Sequence, residues 1–365
     1  MDRIRAFVAD DIPQVADLHR RVFKTDDRLS KTLEESYRSY FENIFLSHPW
    51  YDGALPSLVY EDGGGKILGF MGVTPRRMSL RGQSIQAVIS SQFIVEPGGR
   101  SAVAAVKLVK TLMSGPQDLC IADEANDASR KLWEAAGGST ALLYSMYWLR
   151  PLRLSEWLVR SWGRAGLPAI MASGSAPFCR LLDAVIADSP RIPFRLASPS
   201  LSGEELEPEA LLHCMTEFSA CWSLRPQYDK GWVKWLLELL AEKNGHGSCQ
   251  KVALRSPAGE IVGWYVALLN RGGIGEVLQI GARNGWMGHV LDHLFYHAWQ
   301  KGAVALSGRL EPKLLDHFHD RQCLFQHRRG YWTLIHSSKP ELLEAFYRGD
   351  AFVSRLDGEW SLRFK

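Results

Sequence analysis

Phe93-Ile94-Val95-Glu96-Pro97-Gly98-Gly99-Arg100-Ser101-Ala102-Val103-Ala104-Ala105-Val106-Lys107-Leu108 decides how this chain is read. A β-prone run stops at Pro97-Gly98-Gly99, and a helix begins on small residues near Ser101. The first N–H groups of such a helix have no partner inside it. With the positive end of the helix dipole they form a site for a diphosphate. Arg100 adds a full charge, and Ser101, Ala102 and Ala104 keep the backbone accessible. Taken alone, the same letters also suit an ordinary strand-to-helix turn.

Working outward, a long strand over Ala87 to Val95 leads into this turn. Upstream, Ile4 to Val8 reads as a strand. Asp10-Asp11-Ile12-Pro13 caps a helix that carries Val15, Leu18 and Val22, and a second helix spans Leu33 to Leu46. Ser57 to Tyr60 and Ile67 to Val73 form a hairpin about Asp62-Gly63-Gly64-Gly65. Downstream, a strand at Leu119 to Ala122 precedes a helix from Asn126 to Ala136, capped by Asn126 and ended by Gly137. A last strand is expected near Leu142 to Trp148. The order β-α-α-β-β-β-α-β-α-β predicts an α/β fold with a mixed, mostly antiparallel sheet flanked by helices.

The order then recurs. Helices are expected over Pro208 to Ser219 and Lys230 to Glu242. A hairpin follows at Val252 to Arg255 and Ile261 to Leu269, then a strand at Glu276 to Ile280, a helix from Trp286 and a strand at Ala303 to Leu306. Gly65-Lys66-Ile67-Leu68-Gly69-Phe70 is matched by Gly259-Glu260-Ile261-Val262-Gly263-Trp264, which points to duplication. The predicted division is 1–150, a packed helical linker at 151–190 whose apolar part runs from Ala165 to Ile186, and 191–365.

The chain has 365 residues, enough for two domains, and its 46% apolar and 23% charged content suits a globular protein. A net charge of +3 without a basic tail argues against nucleic acid as a partner. No uncharged apolar run reaches ~18 residues, so no membrane span is expected. The opening Met1-Asp2-Arg3-Ile4-Arg5 lacks a signal peptide's apolar core, and Cys120, Cys179, Cys214, Cys221, Cys249 and Cys323 form no C-x-x-C pair. A cytoplasmic protein with reduced thiols is expected.

Together, the Phe93-to-Leu108 stretch and the helical stretch from Asn126 to Gly137 resemble the GNAT acyltransferase superfamily. Its first motif, Val-x-Pro-x-x-Arg-Gly-x-Gly-x-Gly/Ala, is matched at Val95, Pro97, Arg100 and Ala105. Its second, Asn-x-x-Ala/Ser-x-x-Leu-Tyr-x-x-x-Gly, is matched at Asn126, Ser129, Leu132 and Gly137. The resemblance covers residues 3–148 by motif and 191–365 by element order only. It implies tandem GNAT-like domains, the second degenerate, and transfer of an acyl group from acetyl-CoA or another acyl-CoA to an amine of a small molecule or amino sugar. The cofactor contacts it implies are Ile94, Val95, Gly98, Gly99, Arg100, Ser101, Ala102, Val103, Asn126, Ser129 and Trp133. Pantetheine would run between strands diverging at Val95 and Ala122, with backbone N–H near Val95 polarising the thioester.

The departures bear on catalysis. The motif's glycines fall on Ser101 and Val103, and its tyrosine falls on Trp133, whose indole is no proton donor to a thiolate. Tyr144 or Tyr147, or water, would then act as the acid. Glu96, Asp123 and Glu124 are the candidate bases, and Gln92 can only orient. Two other readings stay open: a peptidyltransferase similar to the FemABX enzymes that uses aminoacyl-tRNA, and a non-catalytic acyl-CoA-binding or scaffold protein. In the second half, Arg283, Gly285 and Gly288 are placed to cradle a phosphate. His289, His293 and His297 share a helix face, read as a half-buried aromatic stripe before a zinc site, and no metal is expected. Arg355 to Trp360 reads as a hairpin turn whose Asp357 and Glu359 face water or an amine.

Overall fold

The computed structural model describes residues 2–23, 31–98, 101–163, 182–183, 194–243 and 247–364. In the first part of the chain β1 (Arg3–Ala6) leads to α1 (Ile12–Phe23) and α2 (Lys31–Phe45). β2 (Leu58–Glu61), β3 (Ile67–Leu80) and β4 (Gln83–Val95) follow, then α3 (Ser101–Met113), β5 (Leu119–Ala125), α4 (Asp127–Ala135), β6 (Ser139–Thr140), β7 (Met146–Pro151) and α5 (Leu154–Gly163). The rest comprises β8 (Ser202–Glu205), α6 (Pro208–Phe218), β9 (Leu224–Pro226), α7 (Lys230–Ala241), β10 (Ser248–Arg255), β11 (Ile261–Leu269), β12 (Ile274–Ala282), α8 (Met287–Gln300), β13 (Ala305–Arg309), α9 (Leu315–Asp320), β14 (Leu324–His327), β15 (Trp332–His336), α10 (Pro340–Tyr347) and α11 (Glu359–Leu362).

Two mixed sheets result. One runs β1-β2-β3-β4-β5-β15-β6, with β9 paired to β3, and the other runs β14-β7-β13-β12-β11-β10-β8. In each, a run of antiparallel strands ends in one parallel pair, β4 with β5 and β12 with β13. The repeated hexapeptide has a packing reason. A side chain on Gly69 would come within 2.9 Å of Leu108 on α3, and one on Gly263 within 2.2 Å of Val290 on α8. Each glycine lets the helix after the turn lie close on its sheet, while Phe70 and Trp264 next to them are buried.

The halves are not closed units. β7 pairs with β13 and β14 in the second sheet, and β15 pairs with β5 and β6 in the first. The strand expected at Leu142 to Trp148 therefore changes: Leu143–Ser145 is a 3-10 turn, and β7 crosses over. A cut at residue 150 falls inside β7. The exchange covers the open side of β5 and of β13, which would otherwise present unpaired backbone groups. Of the predicted linker, α5 is seen, and Asp183 accepts the N–H of Ser155 at 2.7 Å and of Glu156 at 3.3 Å at its start. Trp162 belongs to α5, whereas Gly166, Pro168, Gly174, Pro177, Cys179 and Pro190 lie outside the described residues. The other five cysteines are free thiols. Among the described residues no helix is long and apolar enough to cross a membrane.

Where the sheets meet, the interior is charged. Arg309 at the end of β13 donates to Asp123 of β5 twice, to Oδ2 at 2.9 Å and to the carbonyl at 2.7 Å, and both side chains are buried. Arg355 joins Glu124 of β5, at 3.1 Å, to Glu276 of β12. Arg76 of β3 donates to the Asp357 carbonyl and stacks 4.4 Å over Trp232. Removing one partner of such a pair strands the other charge in a medium that solvates it poorly. Arg309→Met is therefore expected to lower the unfolding free energy by about 3–5 kcal/mol, with Asp123→Asn in the same chain restoring part of it. Urea denaturation of the single and double variants checks this, and a single variant as stable as the parent contradicts it.

Candidate functional site

The site forms where the parallel pair comes apart. β4 and β5 are in register at Ala87–Leu119, Val88–Cys120 and Ile89–Ile121, and no further. Beyond that point β4 is bent by a bulge: Gly72 of β3 faces Ser91 and Phe70 faces Ile94, so Met71 has two residues opposite it. Gln92 sits in the bulge at φ 50°, a conformation a residue with a side chain seldom adopts. A cavity of about 440 Å³ opens between the separated strand ends, the start of α4, the end of α1, and α11.

Glu359 fills the gap. Its carboxylate accepts the N–H of Glu124 on β5 at 3.3 Å and also the N–H of Gln92 on β4. Its own N–H donates to Asp123 Oδ1 at 2.7 Å. One carboxylate thus accepts two N–H groups, one from each of the separated strands. Burial pushes the Glu359 carboxyl up to about 8, and the neighbouring Asp123 and Glu124 push in the same direction. Glu124, which lines the cavity, is also raised by burial, against the pull of Arg355.

His19 forms the wall on the α1 side. Its Nε2 lies 2.9 Å from Gln92 Oε1 and its Nδ1 lies 3.1 Å from the Tyr37 hydroxyl. Burial lowers its pKa to about 4, so the ring is neutral near pH 7. Because the amide oxygen accepts from Nε2, Nδ1 is left to accept from Tyr37. Phe364 stacks on Tyr37 with ring centres 4.2 Å apart, which ties the segment after α11 to α2.

The sequence candidates separate in space. Asn126, Ser129 and Trp133 line the cavity, and Asn126 caps α4 by accepting the Ser129 N–H at 2.8 Å. Ile94 is buried, Val95 is half-buried, and Gly98 lies on the exposed turn beyond them. Gly99 and Arg100 lie outside the described residues. Ser101, Ala102 and Val103 open α3, with Ala102 and Val103 exposed. Among the proposed acid–base groups, only Glu124 lines the cavity. Glu96 is held by Arg21 and by Lys66, at 2.8 Å, and these contacts keep its carboxyl below the ordinary range. Asp123 is committed to Arg309 and to the Glu359 N–H. Tyr144 is buried elsewhere, its hydroxyl bonded to Ala351 O at 2.8 Å and Ala351 N at 2.9 Å, and burial raises its pKa. Tyr147 is buried behind the cavity, packed on Tyr331 and beneath Arg355.

Sequence reasoning left out His19 and read Glu359 only as a turn acid facing water or an amine. Residues 355–360 are no exposed turn: Asp357 is buried, Glu359 is half-buried, and α11 begins at Glu359. The hidden signal was Trp360-Ser361-Leu362, apolar enough to carry its neighbours inside.

The second split, between β12 and β13, is closed differently. Arg283 pairs with Glu217 at 3.1 Å and Glu260 at 3.2 Å, and Arg321 donates to the Gly288 carbonyl at 2.8 Å, so the turn's cation and that carbonyl are already engaged. In the histidine row, His293 and His297 both bond the Tyr265 hydroxyl, at 3.1 and 2.7 Å, and His289 bonds Ser200. Among the described residues no group of three His, Cys, Asp or Glu is placed to hold a metal ion.

No family model and no curated protein matches the chain. Solved structures do resemble it. A GCN5-related N-acetyltransferase from Anabaena variabilis aligns with a TM-score of 0.58 and 10% identity over 94% of this chain and 75% of that one. A probable N-acyltransferase from Enterococcus faecalis gives 0.57 and 9% over 92% and 72%. A GCN5-related N-acetyltransferase from Kribbella flavida gives 0.53 and 10% over 92% and 70%. Two mixed sheets, each splitting at its single parallel pair beside a strand–turn–helix, give this chain a tandem GNAT-like fold.

Proposed function

We propose that the protein is an acyl-CoA-dependent N-acyltransferase that acts on the amine of a small molecule, with acetyl-CoA as the first donor to test. The observation that carries this reading is the split between β4 and β5, with a cavity of about 440 Å³ at its mouth and a carboxyl of raised pKa inside it. The pantetheine arm enters along the separated strands, past Ser129 and Trp133. The diphosphate lies on the turn at the start of α3, where exposed Ala102 and Val103 leave the backbone open. The second split, with Arg283 already neutralised, shapes the molecule and takes no donor.

Glu359 is the base in this reading. It replaces Glu96, whose carboxylate is tied up by Arg21 and Lys66. The carboxylate takes one proton from the substrate ammonium. The neutral amine attacks the thioester carbonyl, forming the C–N bond. The tetrahedral adduct then expels the thiolate by breaking C–S, and the second nitrogen proton goes to the thiolate, giving amide and free CoA thiol. A carboxyl with a pKa of about 8 is matched to this task near neutral pH, far better than an ordinary glutamate.

Glu359→Gln keeps the shape and removes the base, so kcat is expected to fall about 10²–10⁴-fold, with acyl-CoA affinity held. In the parent, kcat/KM should rise with pH through a single ionisation near 8, a limb missing in the variant. Stability carries the same signature. Between 4.5 and about 8 the folded carboxyl keeps a proton that the unfolded one has lost, so parent stability relative to Glu359→Gln declines as pH rises across that window. Equal rates and parallel pH curves for the two proteins would contradict the assignment.

Ser129→Glu tests where the donor lies. A glutamate at that position of α4 suits a helix start capped by Asn126, but it places a carboxylate on the cavity wall. Calorimetry should show acyl-CoA binding weakened by about tenfold or more with an unchanged melting temperature. An unaltered affinity would remove the donor from this cavity.

A further inference from the structure

Arg363 lines the same cavity and differs from the other arginines of the interior. Arg76, Arg309 and Arg355 each have hydrogen bonds to carboxylates or carbonyls. The Arg363 guanidinium has no hydrogen bond among the described residues. It forms an ion pair with Glu124 at 3.7 Å, its side chain is 33% exposed, and it lies over the Trp360 ring at 5.4 Å. Its main chain, by contrast, is fixed: the N–H donates to the Glu359 carbonyl at 3.0 Å, and the carbonyl accepts from Lys243 Nζ. A fixed backbone therefore presents a guanidinium fork with one long ion pair and no hydrogen bond among the described residues at the wall that this cavity shares with the neighbouring hollow between α2 and α7.

Glu359 and Arg363 are one helical turn apart, so their side chains leave the same face with roots about 5–6 Å apart. No ion pair joins them, although opposite charges at this spacing ordinarily pair. The carboxylate is turned instead to the Gln92 and Glu124 N–H groups. The cavity thus offers an acidic group and, beside it, a guanidinium held only by a 3.7 Å ion pair to Glu124, a pattern complementary to a small zwitterion. We propose that the acceptor is an amino acid, its ammonium at Glu359 and its carboxylate on the Arg363 fork. This rests on the acyltransferase reading and narrows its acceptor. A guanidinium holds a carboxylate through two parallel N–H···O bonds, and a neutral amide leaves part of that donor set unused. Selection for the carboxylate follows, and the transferred group ends on the α-nitrogen of an N-acyl amino acid.

The test first finds, by calorimetry, which of acetyl-, butyryl- and palmitoyl-CoA binds. That donor is then supplied with a pool of the common L-amino acids or with a pool of their carboxamides, and products are read by mass spectrometry and thiol release. The expected result is a preference of about 30-fold or more in kcat/KM for the acids. Arg363→Met should raise KM for the acid and bring the preference to within about threefold, and Arg363→Lys should keep an intermediate preference. Carboxamides that react as well as acids would overturn the proposal. So would a preference that survives Arg363→Met, or an Arg363→Met variant whose loss lies in acyl-CoA affinity, which would place the guanidinium on the donor. A donor that binds but reaches no amine in either pool also overturns it. Failure of every donor to bind would instead sink the acyltransferase reading itself.

Discussion

The structure depends on ion pairs buried between two sheets that each come apart at one end. A parallel pair of strands that splits leaves unpaired backbone groups and an open core, which is unstable unless something is placed against it. Here each split faces the other. Asp123 at the end of β5 meets Arg309 at the end of β13, and Arg355 spans Glu124 and Glu276. Ion pairs of this kind stabilise less than apolar packing would, but they penalise any arrangement in which the partners miss each other. They fix the register of one sheet against the other, and the exchange of β7 and β15 makes the same register covalent.

The proposed chemistry grows from that charged seam. Asp123 and Glu124 are ion-paired to arginines, and Glu359 is inserted beside them with no arginine paired to it among the described residues. Its raised pKa follows from burial first and from those two acids second. A group of this kind is costly to the folded state, and its persistence at the mouth of a cavity fits use rather than support. The two splits have diverged in the same terms. In the first, Glu124, Glu359 and Arg363 line the cavity. In the second, Arg283 is neutralised by Glu217 and Glu260.

Much of the fold was legible because it is local. Periodicity and capping located α1 to α4 and the hairpins in both halves, and Gly69 and Gly263 marked the duplication for a reason now visible in Leu108 and Val290. Asn126 was legible as a cap because its signal is local, and Ser129 and Trp133, singled out by the family resemblance, line the cavity beside it. What stayed hidden is long-range. Strand exchange leaves no local mark, since β7 has the same composition in either sheet. Glu359 lies 235 positions from its partner Glu124, so its environment is set by where the chain returns and not by its neighbours. Glu96 shows the same limit from the other side: it stands beside the diagnostic turn, and its pairing with Arg21 of α1 leaves no local mark.

Hydrogen–deuterium exchange with and without acetyl-CoA tests the central claim most directly, because it reads both splits at once without assuming an acceptor. The account predicts slowed exchange over residues 90–95, 101–106 and 122–130, where the donor would replace solvent along β4, α3 and the start of α4. It predicts no change over residues 278–290. Protection at the second turn, or none at the first, would contradict it.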